Sequence, residues 1–170
     1  MKNLSSFDIA FEGLSVGTHK FTFQLDEAFF NYFGDEKVSD PELVADLLMQ
    51  KSDGLMNFDI TIRGSVKLVC DRCLGDVSFD LNEVRSLHVK TSGGDTDADN
   101  DEVISIPEGQ HLFNSAQHLY DFVVLSIPMR VVHEAESCDP EVERILDKKS
   151  NTHTTGDDPR WQKLKEVTIK

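Results

Sequence analysis

The chain has 170 residues, 39% of them apolar, with 17 Lys and Arg against 31 Asp and Glu and a formal charge of −14. That is enough apolar content for a packed core and too much for a disordered chain, while no run approaches the roughly 18 apolar residues of a membrane span. The charge disfavours phosphate-rich and anionic-membrane surfaces, so nucleic-acid binding would need a local basic patch and a basic protein is the easier partner.

The opening residues Met1-Lys2-Asn3-Leu4-Ser5-Ser6 carry no apolar run of an export signal, and acids follow at Asp8 and Glu12. A cytoplasmic location without membrane attachment is the expectation. Phe7 to Phe11 and Lys20 to Leu25 alternate apolar and polar about a turn with Gly13 and Gly17, which suggests a hairpin. Asp26 is placed to cap a short helix, Glu27 to Phe33, that stops at Gly34. Asp40-Pro41 looks like a cap and first helical residue, and Leu43, Leu47 and Leu48 follow at helical spacing, so a helix is expected over Pro41 to Gln50.

The centre is β-like. Phe58, Ile60 and Ile62 alternate with Asp59, Thr61 and Arg63, then Gly64 interrupts, marking a bulge or bend. Val66, Leu68 and Cys70 resume the pattern, and Val77, Phe79, Leu81, Leu87 and Val89 repeat it after the turn Cys70 to Gly75. Thr91 to Glu102 reads as an acidic loop. Counting from Asp95, it places Asn100 and Ile106 where an EF-hand loop needs Gly and Glu, so calcium is disfavoured. Val103 to Ile106 is a short strand closed by Pro107. A helix starts at Asn114-Ser115, presents Leu119, Phe122 and Val123, and stops before Pro128. Cys138-Asp139-Pro140 opens another, with Val142, Ile145 and Leu146. The expected organisation is one domain over 1–147, a polar linker over 148–157, and a short helix over 158–170 packed on the domain.

Cys70-Asp71-Arg72-Cys73-Leu74-Gly75 is the most informative stretch. A Cys-x-x-Cys turn between strands converges two thiols, and Gly75 is suited to relieve strain just after them. A thioredoxin-like pair would open a helix instead, which disfavours redox chemistry. Structural zinc wants four ligands. Cys138 is the remaining cysteine and His133 lies shortly before it, so Cys70, Cys73, His133 and Cys138 form a candidate zinc site. Plain burial of Cys70 and Cys138, with His133 on the surface, is the competing reading. His118 stands alone on a helix, Ser115 and Ser126 lack a nucleophile elbow, and no phosphate-binding glycine loop is present. Arg63, Lys67, Arg72, Arg85 and Lys90 on the β segment, and Lys148, Lys149, Arg160, Lys163, Lys165 and Lys170 near the end, are the cations from which a basic patch could form. Arg72, Arg160, Lys163 and Lys165 are the candidate binding residues.

Cys70-Asp71-Arg72-Cys73-Leu74 resembles the Cys-x-Arg-Cys-Leu signature of the YceD family, the large ribosomal RNA subunit accumulation proteins. The acidic loop, the strand Val103 to Ile106, the helix ending at Ile127-Pro128 and the closing Asp158-Pro159-Arg160-Trp161 with Leu164 are similar to family elements in the same order. The resemblance implies a cytoplasmic, non-enzymatic role in synthesis, processing or stability of large-subunit rRNA, with a ribosomal protein or pre-ribosomal particle as partner and any rRNA contact indirect. Many members carry further cysteines after the helix–Pro element, where this chain offers His133 and Cys138. Direct RNA binding through the basic C-terminal residues, and a thiol or zinc enzyme, are the alternatives. The expected fold is α+β: a bent antiparallel sheet, with barrel-like closure left open, covered by one main helix and flanked by short ones.

Overall fold

The computed structural model describes residues 4–35, 37–91, 103–107, 109–134 and 137–150. A 3-10 turn at Leu4–Phe7 leads into β1 (Asp8–Ile9), β2 (Gly17–Leu25), α1 (Glu27–Phe33), β3 (Ser39–Ser52), β4 (Leu55–Val69), β5 (Asp76–Thr91), β6 (Val103–Ile106), β7 (Phe113–Asn114), α2 (Ala116–Ser126) and α3 (Pro140–Ser150). The α+β class is as expected. Strands β2 to β5 form an antiparallel meander in chain order, and β6 joins β5 in parallel. The sheet is open, with β2 and β6 at its edges, and does not close into a barrel.

Two expectations fail for one reason, that distant pairing outweighs local pattern. The stretch Pro41 to Gln50 is not a helix: it lies inside β3 and is paired with β2 on one side and β4 on the other. Leu43, Ala45, Leu47 and Met49 alternate into the core, a period-2 reading that the same residues also permit. The N-terminal hairpin does not form either, because β1 pairs with β7, not β2. Phe7 instead turns inward, its ring 5.2 Å from Phe23 and 4.9 Å from Phe29.

One sheet face is the core. Met56, Phe58, Ile60, Ile62, Val66 and Leu68 of β4 lie beneath Ile9, Phe29 and Phe30 of the N-terminal elements and Leu119 and Val123 of α2. Each such side chain contributes about 1.5–3 kcal/mol on burial. Helix α1 matches its sequence signals: Asp26 accepts the Phe29 N–H at 3.1 Å, and Gly34 caps the end at φ 70°. At α2, Asn114 Oδ1 receives the Ala116 N–H at 3.0 Å, while the Ser115 hydroxyl donates to the Phe7 carbonyl at 3.1 Å. The opposite sheet face is polar. Asp46 accepts from Thr22 at 2.7 Å and Arg63 at 2.6 Å, which with Lys20 holds its carboxyl below the usual range.

The bend at Gly64 is built from both strands. The register of β3 on β4 shifts between Ser39 and Glu42, so Asp40 and Pro41 form a bulge, with Asp40 at φ 43°. Opposite, Gly64 sits at φ 138°, and a Cβ there would lie 1.9 Å from the Glu42 carbonyl oxygen. Backbone cannot yield as a flexible side chain does. Gly64→Ala is therefore expected to destabilise the protein by about 2 kcal/mol or more, and Gly13→Ala, at a position with open space, by less than about 0.5 kcal/mol. Denaturant midpoints of the two variants check the contrast; equal midpoints would contradict it.

Candidate metal centre

Cys70 extends the inward alternation of β4 by one step and is fully buried. The chain then turns tightly. The Cys70 N–H donates to the Gly75 carbonyl at 2.8 Å, the Leu74 N–H to the Cys70 carbonyl at 2.9 Å, and the Arg72 N–H to Cys70 Sγ at 3.4 Å. The left-handed residue of this knuckle is Leu74, at φ 60°. Gly75 instead gives room: a Cβ there would lie 3.5 Å from Cys73 Sγ and 3.6 Å from His133 Cε1.

The second half arrives from the end of α2. Pro128 ends the helix and the chain returns along the knuckle, held by Asp71. The Asp71 N–H donates to the Val131 carbonyl at 2.7 Å, and Asp71 Oδ2 accepts the Val131 N–H at 2.7 Å. His133 follows on the same segment. Its Nε2 donates to the Asp76 carbonyl at 2.9 Å, which leaves the Nδ1 lone pair facing the thiols. Nδ1 is 3.3 Å from Cys73 Sγ and 3.7 Å from Cys138 Sγ, and Cys70 Sγ is 3.9 Å from Cys138 Sγ. Cys138 is buried just ahead of α3, where Asp139 Oδ1 accepts the Glu141 N–H at 2.8 Å.

The four donor atoms all lie within 4.8 Å of one another. A tetrahedral ion with metal–sulfur bonds of about 2.3 Å and a metal–nitrogen bond of about 2.0 Å sets sulfur–sulfur edges near 3.8 Å and sulfur–nitrogen edges near 3.5 Å. The separations of 3.3, 3.7 and 3.9 Å lie close to those edges, and the Cys70–Cys138 sulfurs are far too distant for a disulfide. The four residues picked out in the sequence could thus hold one metal ion.

The electrostatics support the donor set. Burial pushes the Cys70 thiol up, but the N–H groups of Cys73, His133 and Arg72 outweigh it and bring it down to about 6. The N–H groups of Asp139 and Gly75 lower Cys73. Burial, with Cys73 and Cys70 nearby, pushes Cys138 up to about 11. The Asp76 carbonyl, then the neighbouring sulfurs, raise His133. Cysteine ligates a metal as thiolate and histidine through an unprotonated nitrogen, so metal binding at this set would displace any protons these groups carry.

Of the remaining candidates, Arg72 pairs with Glu143 of α3 at 3.1 Å, so it braces the knuckle. Arg160, Lys163 and Lys165 lie outside the described residues, as does the helix expected over 158–170. Helix α3 runs through Lys148, Lys149 and Ser150, where the linker was expected to begin. His118 stacks on Phe113 at 5.6 Å, and burial lowers it, with Asp121 opposing. The roles of Asp71 and of the Asp76 carbonyl had no local signal in the sequence, because each acts on a residue far along the chain. Among the described residues, no helix is long and apolar enough to cross a membrane.

The family model described as large ribosomal RNA subunit accumulation protein YceD matches residues 58–168. The chain belongs to the YceD family. No curated protein and no solved structure matches it.

Metal uptake should release protons, Cys138's first among them, so apparent affinity should fall as pH is lowered. Zinc titrations in buffers of different ionisation enthalpy should show net release of at least about one proton at neutral pH. Uptake without proton release would contradict this donor set.

Proposed function

We propose that this chain is a non-enzymatic, cytoplasmic assembly factor that supports synthesis, processing or stability of large-subunit rRNA through a protein partner. Family membership carries the reading: the matched model spans residues 58–168 and is described by large ribosomal RNA subunit accumulation. The partner is a ribosomal protein or a pre-ribosomal particle, and contact with rRNA is indirect.

Charge favours a protein partner over RNA. Arg63 pairs with Asp46 at 2.6 Å, Lys67 with Asp40 at 2.6 Å, Arg72 with Glu143 at 3.1 Å and Arg85 with Glu83 at 3.4 Å. Four of the five cations of the β segment thus face carboxylates at home, which weakens the patch that phosphate would need. An acidic surface steers a basic protein instead, and can shield it until it docks on rRNA.

In this reading the Cys70, Cys73, His133 and Cys138 set binds zinc as a structural ion. Thiolate and imidazole donors in a tetrahedral arrangement suit zinc. Four protein ligands close the coordination sphere and leave no position for a catalytic water, which argues against a zinc enzyme.

Affinity purification of the tagged protein from its native cell at low salt should recover large-subunit proteins or precursor rRNA. Recovery should vanish toward about 1 M salt, where charges are screened beyond roughly 3 Å. An eluate free of both would overturn the assembly role. RNA retained by the purified protein alone, and lost with Arg160, Lys163 and Lys165 replaced, would favour the direct RNA-binding reading. Metal analysis should find about one zinc per chain, lost in Cys70→Ser.

A further inference from the structure

A solvent-open groove of about 470 Å³ lies between the end of β4 and the segment that follows α2. Its walls are Val69, Val124, Ile127, Met129 and Val131. Met129 is fully exposed and Val69 is 50% exposed, so apolar surface stands in water there. The charged groups at the groove are Asp35, Asp71 and Lys37. Asp35 accepts from Tyr120 Oη at 3.2 Å and the Lys37 N–H at 2.9 Å, and Asp71 from the Val131 N–H. A carboxylate has about four acceptor sites, so both retain capacity for a cation.

The sequence holds one segment of the complementary character. Arg160-Trp161-Gln162-Lys163-Leu164-Lys165 places Trp161 and Leu164 three apart in sequence and interleaves them with three cations. The tether is long enough. Helix α3 starts beside the knuckle that supplies Asp71 and is held there by the Arg72–Glu143 pair. Its 11 residues span about 16 Å. The stretch from Ser150 to Trp161 can cover about 35 Å if extended, which suffices to return along α3 to the groove.

We infer that residues 160–165 of the same chain dock in this groove, with Trp161 and Leu164 on its apolar walls and the cations toward Asp35 and Asp71. The other exposed apolar stripe near the tether, Ile145 and Leu146 on α3, is convex and offers less enclosure. Docking commits Arg160, Lys163 and Lys165 to the protein's own carboxylates, as the β-segment cations already are.

Trp161 is the sole tryptophan, so its fluorescence reports on the segment directly. In the full chain its emission should be blue-shifted and shielded from acrylamide, independent of protein concentration. Met129→Asp alters a fully exposed side chain, so the fold is retained, and should shift the emission red and raise quenching severalfold. Ile145→Asp should change neither. Emission already typical of free tryptophan, or insensitive to Met129→Asp, would overturn the inference. So would a response to Ile145→Asp alone, which places Trp161 on α3, or a shift that grows with concentration, which places it in a second copy.

Discussion

The register of β4 governs the molecule. Its even-numbered residues from Met56 to Leu68, the exposed Gly64 excepted, face the core, and the same alternation delivers Cys70 inward. A slip of one residue would turn every one of these to solvent, Cys70 included. β3 and β5 hold that register along nearly the whole strand, and Gly64 lets the sheet bend without breaking the count. The candidate metal ligands of the knuckle therefore inherit their position from the core, and the knuckle is the end of a strand whose placement is fixed many residues earlier.

The donor cluster then does for the periphery what β4 does for the core. Helix α2 fully buries Ala116, Leu119 and Val123, and beyond Pro128 Val131 is the one described residue that packs against the hydrophobic core. Asp71 and the Asp76 carbonyl catch that segment by its backbone and by His133. Cys138 brings in the start of α3, and Arg72 holds its first turns. Hydrogen bonds of this exposed kind contribute about 1 kcal/mol each. A metal ion bound by all four donors would contribute far more, because its binding energy would add to folding energy. The segment from Pro128 to α3 is thus the part of the fold whose order depends most on the cluster.

What was legible in the sequence follows how local the determining force is. Helix α1 could be read because Asp26 and Gly34 act within their own turn. β4 and β5 could be read because most of their apolar residues recur at every second position. β3 could not: Leu43, Leu47 and Leu48 satisfy the helical period, Leu43, Ala45, Leu47 and Met49 the strand period, and only pairing with β2 and β4 chooses between them. The parallel addition of β6 and the pairing of β1 with β7 are equally non-local. The four metal donors were legible as residue types, since few chemistries use three cysteines and a histidine, but their convergence rests on contacts some 60 positions apart, such as Asp71 with Val131.

The ion pairs of the sheet acquire a meaning from the total charge that their energies do not give them. Exposed pairs of this kind contribute about 0–1 kcal/mol, too little to account for the fold. Their effect is on the field. Pairing Arg63, Lys67, Arg72 and Arg85 offsets four of the five central cations locally without altering the net −14. A protein that needed to grip phosphate would leave such cations unopposed. One that must attract a basic partner, and release it to a competing polyanion, gains by neutralising them. In this chain the strands carry the core on one face and, on the other, cations mostly offset by neighbouring carboxylates, so the net acidity sets the sign of the surface field.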